Sequence, residues 1–219
     1  MLHTYSVNDV LNAGERIRVL YKVAAVSSVI SGSLGGLLGW LTSYWGAAAI
    51  TAPATIIVYL MGVKLVEHHL WKNKWSRLFL GISLPNINGC WSGTIETRRR
   101  DGEFIKGNTG VMTVAQTWST IGIEFETNKT SSYSTGAFFT QGASHLVLTM
   151  EYQADVAEPH WDDDDIHAHK GTAKFRVPLE RGECDLSEVK VPYYTDHRET
   201  GIIHLKKLEP NKENALGRK

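Results

Sequence analysis

Charge is missing from one long stretch of this chain, and catalytic signatures are missing from all of it. No Lys, Arg, Asp or Glu lies between Lys22 and Lys64, so residues 23–63 form an uncharged run of 41 residues. The chain holds no Gly-x-Ser-x-Gly elbow and no His-Glu-x-x-His pair, so no reaction class is indicated and an enzyme is not expected. Its two cysteines, Cys90 and Cys184, lack the spacing of a metal site, and a reducing compartment keeps them as thiols. The glycine-rich stretch SGSLGGLLGW (31–40) lacks the Lys-Ser/Thr that completes a phosphate loop. Residues 84–219 carry a net charge of −4, and an acidic domain is a poor binder of long nucleic acid, which needs an extended basic surface. No cofactor and no resident metal are expected.

What the uncharged run does offer is length. One bilayer crossing takes about 20 apolar residues, so the run predicts two. Helix 1 is expected over 19–41 and helix 2 over 47–70, broken at TSYWG (42–46), where Ser, Gly and interfacial aromatics suit the water boundary. Pro53 then falls in the first turns of helix 2, where its missing N–H costs least. Ser28, Gly32 and Gly36 are spaced by four, as are Ser31, Gly35 and Gly39. Small residues at this spacing let helices approach closely, either in self-association of helix 1 or in packing of helix 1 on helix 2. Arg16, Arg18 and Lys22 precede the run, Lys72, Lys74 and Arg77 follow it, and the turn carries no charge. The positive-inside rule therefore puts both termini in the cytoplasm.

The remainder reads as strands. Residues 84–219 hold sixteen basic and twenty acidic residues, an acidic domain. INGCWSGTIETRRRDGEF turns at Asp101-Gly102, and GVMTVAQTW, TIGIEFET, SSYSTGAFF and SHLVLTMEYQA follow with alternating patterning. HKGTAKFRVPL, VKVPYY and TGIIHLKKL close the series. These are about eight strands at spacings of roughly ten residues, with no helical period between them. Eight such antiparallel strands close into a small lipocalin-like barrel that can hold one small ligand. The expected organisation is a cytoplasmic segment over 1–18, a transmembrane hairpin and linker over 19–80, the barrel over 84–208 and a disordered tail over 209–219. Gly93, Gly136, Gly171 and Gly201 fall inside strand patterns, which signals either room on the inner face or barrel curvature.

Two constellations carry chemistry. HWDDDDIHAHK places His167 and His169 on one face of a strand, beside four consecutive Asp. The Asp run lacks the spacing and the glycine of a calcium loop and reads as solvated. PYYTDHRETG (192–201) gathers two Tyr, two Thr and an Arg between the last two strands, and SSYSTG (131–136) adds hydroxyls and Tyr133. Arg offers phosphate a planar fork, Thr offers hydroxyl donors, and Tyr stacks on a base. The alternative is a surface turn in which Arg198 pairs with Asp196 or Glu199.

This order of parts resembles the two-transmembrane, β-strand-rich effectors associated with cGAS-like nucleotidyltransferases in bacterial antiphage defence (CBASS). NGCWSGTI, GTAKFRV and YYTDHRETGIIHLKK carry the resemblance, which covers nearly the whole chain. It implies that a cyclic oligonucleotide, a cyclic dinucleotide above all, binds in the barrel. It also implies self-association, disruption of the bacterial inner membrane and a functional link to the nucleotidyltransferase. The sign of control is left open. On matched positions the ligand residues are Tyr194, Thr195, Arg198 and Thr200, with Trp91 and Tyr133 added as stacking rings on their chemistry; Ser28, Gly32 and Gly36 are the helix-association face. Two other readings remain: a membrane-anchored carrier of a small hydrophobic ligand, suggested by the lipocalin-like GCWSG, and a metal-dependent hydrolase using Asp162–Asp165.

Overall fold

The computed structural model describes residues 2–4, 6–7, 14–41, 44–99, 101–141, 145–157, 167–178 and 188–208. The expected turn at 42–43, the Asp162–Asp165 loop, Cys184 and the tail over 209–219 lie outside them. The chain divides into two compact units, Asn12–Leu84 and a second made of Met1–Leu11 with Pro85–Lys219.

The first unit is helical. Helix α1 (Glu15–Leu41) packs along α2 (Tyr44–His68), and a single 3-10 turn leads to α3 (Lys74–Leu80). Among the described residues one stretch, Glu15–Leu37, is long and apolar enough to cross a membrane. Both long helices begin earlier than expected. Helix α2 starts at Tyr44, so Pro53 sits within the helix rather than in its first turns. Val19, Val23, Ser27, Ser31 and Gly35 are buried at a spacing of four, one face of the helix. At Gly62 a Cβ would come within 2.8 Å of Val23 Cγ1, so glycine permits the close approach of the two helices. The Ser31/Gly35 stripe thus serves packing on α2, whereas Ser28, Gly32 and Gly36 are exposed. Ser27 and Ser28 donate their hydroxyls to the carbonyls of Val23 and Ala24 at 2.7 and 2.9 Å, which satisfies them within the helix. At the base, the buried Glu15 carboxylate accepts from the Ser83 N–H and hydroxyl at 3.2 and 2.5 Å. Asn73 caps α3 by accepting from the N–H of Trp75, and Gly81 ends it in the left-handed conformation at φ 76°.

The second unit is a closed antiparallel barrel. It opens with two dipeptide strands, β1 (His3–Thr4) and β2 (Ser6–Val7). Then come β3 (Gly89–Arg98), β4 (Phe104–Gln116), β5 (Thr120–Thr127), β6 (Thr130–Gln141), β7 (His145–Val156), β8 (His169–Pro178), β9 (Glu188–Thr195) and β10 (Thr200–Lys207). Each of the eight long strands pairs antiparallel with its sequence neighbours, and β10 returns to β3. The turn at Asp101-Gly102 joins β3 to β4 as expected.

One joint is short. β5 and β6 share only three residue pairs, Glu124 with Tyr133, Phe125 with Ser132 and Glu126 with Ser131. Beyond these the N-terminal segment fills the gap: β1 pairs antiparallel with β5 at Thr120 and Ile121, and β2 pairs parallel with β6 at Phe138 and Phe139. His3 Nε2 and the Ser134 hydroxyl are 2.9 Å apart, and Ser134 also accepts from the N–H of Ile123. The start of the chain, expected as a segment ahead of the helices, therefore supplies part of the barrel wall.

Alternation decides which side chains fill the barrel. Leu146, Leu148, Met150 and Tyr152 of β7, Ala173, Phe175 and Val177 of β8, and Val189 and Val191 of β9 are all buried. One end is packed solid: Trp91, Met112, Val114, Phe175 and Leu205 leave a void of only about 10 Å³. Gln116 seals that end, its side chain accepting from the Ile87 N–H at 2.9 Å and donating to the Pro85 carbonyl at 3.1 Å. Trp91 is 2% exposed and donates its indole N–H to the Ile87 carbonyl at 3.2 Å. Replacing Trp91 by Ala should destabilise the barrel by about 3–5 kcal/mol, the range for emptying a large aromatic site. Denaturant unfolding in detergent, followed by the circular dichroism of the β unit, checks this.

Candidate functional site: the open mouth of the barrel

The end opposite Trp91 holds a cavity of about 380 Å³. Its floor is apolar, from Ile95, Phe125, Met150, Ala173 and Ile203. Its walls carry hydroxyls from Thr97, Thr127, Thr130, Ser132 and Thr195, with the phenols of Tyr152 and Tyr193 between. At the rim stand Arg99, Lys129, His167, His169, His197 and Glu199.

Glycine seats both tyrosine rings. A Cβ on Gly171 would lie 2.5 Å from the Tyr152 ring, and a Cβ on Gly201 would lie 2.6 Å from that of Tyr193. Gly171 is the cross-strand partner of Tyr152, and Gly201 that of Tyr193. A Cβ on Gly93 would likewise meet Phe125 at 2.9 Å, while Gly136 marks a register shift in β6. The room left by Gly93, Gly171 and Gly201 is thus taken by aromatic rings that lie flat against bare backbone. Tyr193 is fixed further by a 2.6 Å hydrogen bond with the Thr97 hydroxyl.

Three imidazoles gather on one side of the rim. Ring centroids of His167 and His197 are 6.2 Å apart, as are those of His169 and His197, and Tyr152 meets His169 edge-on at 6.1 Å. Backbone bonds hold this side together: the Asp196 N–H donates to the Lys170 carbonyl at 2.9 Å, and the Lys170 N–H donates to the Asp196 carboxylate at 3.2 Å. Lys129, in the β5–β6 turn, is four strands from the β9–β10 turn in either direction. It therefore stands across the mouth from His197. Among the described residues no three His, Cys, Asp or Glu side chains are grouped to hold a metal ion.

The residues singled out from sequence do not converge. Thr195 is buried and lines the cavity. Tyr194 and Thr200 point the other way, into a groove on the outer wall. Arg198 is exposed in the β9–β10 turn at φ 65°, its N–H donating to the Thr195 carbonyl at 3.0 Å. Trp91, expected as a stacking ring, is core at the closed end, with Lys207 Nζ 5.4 Å from its ring centroid. Tyr133 lies between Ser132 and Ser134, both inward, and so is on the outer face. The parity of β9 carried the missing signal: buried Val189 and Val191 put Tyr193, not Tyr194, inside. Arg99 and Lys129, in turns, had no periodicity to mark them.

The Tyr152 phenol is held well above its ordinary value of 10.0, first by burial and then by the neighbouring Tyr193, Asp196 and Glu199. Burial and Glu199 also raise Tyr193, partly offset by its bond to Thr97. Both stay protonated in the folded state while unfolded tyrosine ionises, so the unfolded state binds fewer protons and stability falls as pH rises above about 10. Unfolding free energies between pH 8.5 and 11 should show that fall, with Tyr152→Phe flattening it.

A small barrel plugged at one end and open at the other over hydroxyls, aromatic rings and rim cations has room for one small ligand. Residues 82–207 match the model of the Cap15 cyclic dinucleotide receptor domain, more than half of the chain, and the chain belongs to that family. The CBASS resemblance seen in sequence is thereby borne out. No curated protein sequence matches the chain.

Proposed function

We propose that the chain is a membrane-embedded CBASS effector in which a cyclic dinucleotide enters the open mouth of the barrel and changes how the molecules associate in the membrane. The observation that carries this is the separation of positive charge at the rim, with Lys129 at the β5–β6 turn and Arg99 two strands away at the β3–β4 turn. A cyclic dinucleotide carries two phosphates at opposed corners of its ring, and the rim meets each with a cation. Tyr152 and Tyr193, seated on glycine, offer flat faces to the bases. The carrier reading has less support, because the apolar end of the barrel is filled and its open end is polar. The role in this reading is sensing, as the family match suggests.

Two observations support a hairpin in the inner membrane with both termini cytoplasmic. Ile17, Val29, Leu34 and Leu37 of α1 and Ile56, Leu60 and Met61 of α2 are exposed, an apolar surface suited to lipid. The strap of β1 and β2 belongs to the same barrel as β3–β10, so both lie on one side of any bilayer the helices cross. The number of crossings between them is then even, and α1 with α2 supplies two. Clustering through the exposed Ser28/Gly32/Gly36 face and loss of membrane integrity follow in this reading, as does dependence on a cGAS-like nucleotidyltransferase.

Titrating the full chain in detergent with cyclic di- and trinucleotides should give saturable binding by at least one dinucleotide. Lys129→Ala and Arg99→Ala should each weaken it by roughly tenfold or more, the scale of a lost charge-assisted hydrogen bond, while Arg198→Ala leaves it within about twofold. Absence of binding by every member of the panel overturns the reading.

A further inference from the structure

Apart from the mouth and a shallow hollow at its rim between Arg99, Asp101, His197 and Glu199, the described residues of the barrel form a groove of about 420 Å³ on the outer wall. Four large hydrophobic side chains are exposed on the described residues of the barrel unit, Leu2, Phe104, Tyr194 and Ile202, and three of them line this groove. Monomeric surfaces scatter such residues singly, and a cluster rimmed by charge marks a contact surface. The charges here have both signs: Glu96 on β3, Arg98 at the end of β3 and Lys174 on β8. Arg98 also covers the Phe104 ring, its guanidinium carbon 5.9 Å from the centroid.

We infer that this groove is a docking surface for the barrel of a second copy of the chain, joined about a two-fold axis. A two-fold contact brings a patch onto itself, so the patch must be its own complement. This one is: Glu96 of one copy can face Arg98 or Lys174 of the other, and a ring of Tyr194 or Phe104 fits the hollow opposite. A partner of uniform charge would meet a like charge in the same groove. Aromatic rings and Arg are also the side chains that most often anchor interfaces. The ion pairs Glu96 now makes, 3.8 Å to Lys106 and 3.9 Å to His204, lie at the surface and are readily exchanged.

The groove also adjoins the mouth through one strand. Tyr193 and Tyr194 are consecutive in β9, one ring in the cavity and the next in the groove. Gly201, opposite Tyr193, lines the groove with bare backbone, so no side chain thickens the wall there. A ligand that shifts Tyr193 therefore shifts Tyr194, and docking responds to the cavity. This coupling rests on the nucleotide reading above; the docking surface itself does not.

Sedimentation of the full chain in detergent, with and without cyclic di-AMP and cyclic di-GMP, tests both. Wild type should form a two-copy species, favoured by the nucleotide that binds. The double variant Tyr194→Ala/Ile202→Ser should weaken it by roughly tenfold or more, the loss expected of an anchor, with nucleotide affinity unchanged. Glu96→Arg and Lys174→Glu should each weaken association alone and restore it when the two variants are mixed. The helical unit is identical in all of them, so differences between them report the groove. Variants that associate like wild type, or a wild type that stays single under every condition, overturn the proposal. Association through the groove without binding of either nucleotide upholds the surface and overturns the coupling.

Discussion

An antiparallel sheet closed on itself must give every strand edge a partner, and here the edges of β5 and β6 beyond their shared pairs find theirs in β1 and β2. The β5–β6 hairpin makes only three pairs before its arms diverge. Everything else follows from how that gap is filled. Phe125 and Ser132, paired within the short joint, line the mouth, and Lys129 and Thr130 sit at its turn. Farther along, β1 and β2 complete the wall, and His3 reaches the Ser134 hydroxyl. The short β5–β6 joint is therefore also a face of the cavity at the open mouth.

The division of the barrel into a packed end and a wet end has a simple origin in side-chain volume. Trp91, Met112, Phe175 and Leu205 fill the cross-section at one level, while Gly171 and Gly201 sit nearer the other. Glycine there does not leave space empty; it lets Tyr152 and Tyr193 lie back against the wall, and the opening in front of them is what remains. A carrier of apolar molecules needs the opposite arrangement.

The eight long strands were legible because each has an inner face of apolar residues at period two, as in Leu146, Leu148, Met150 and Tyr152. The helix pair was legible from its uncharged length, although α2 starts at Tyr44 rather than Ala47. The strap was not legible: His3–Thr4 and Ser6–Val7 are too short to show a period, and only the gap they fill gives them meaning. The site was half legible. Residue types in the last hairpin pointed to the rim of the open mouth, yet Tyr194 and Thr200 were taken from matched positions in the terminal motif, while the parity set by Val189 and Val191 turns Tyr193 into the cavity. Lys129 and Arg99 belong to turns, where position depends on closure of the whole barrel rather than on local pattern.

The strap has a consequence for the order of events on the ribosome. His3 leaves the exit tunnel 131 residues ahead of Ser134, its partner in the wall. Between the two come both long helices and the first half of the barrel. Throughout that interval β1 and β2 have no sheet to join, and the gap in the wall waits for a segment made before both helices. Until that segment returns, the edges of β5 and β6 it covers stay bare.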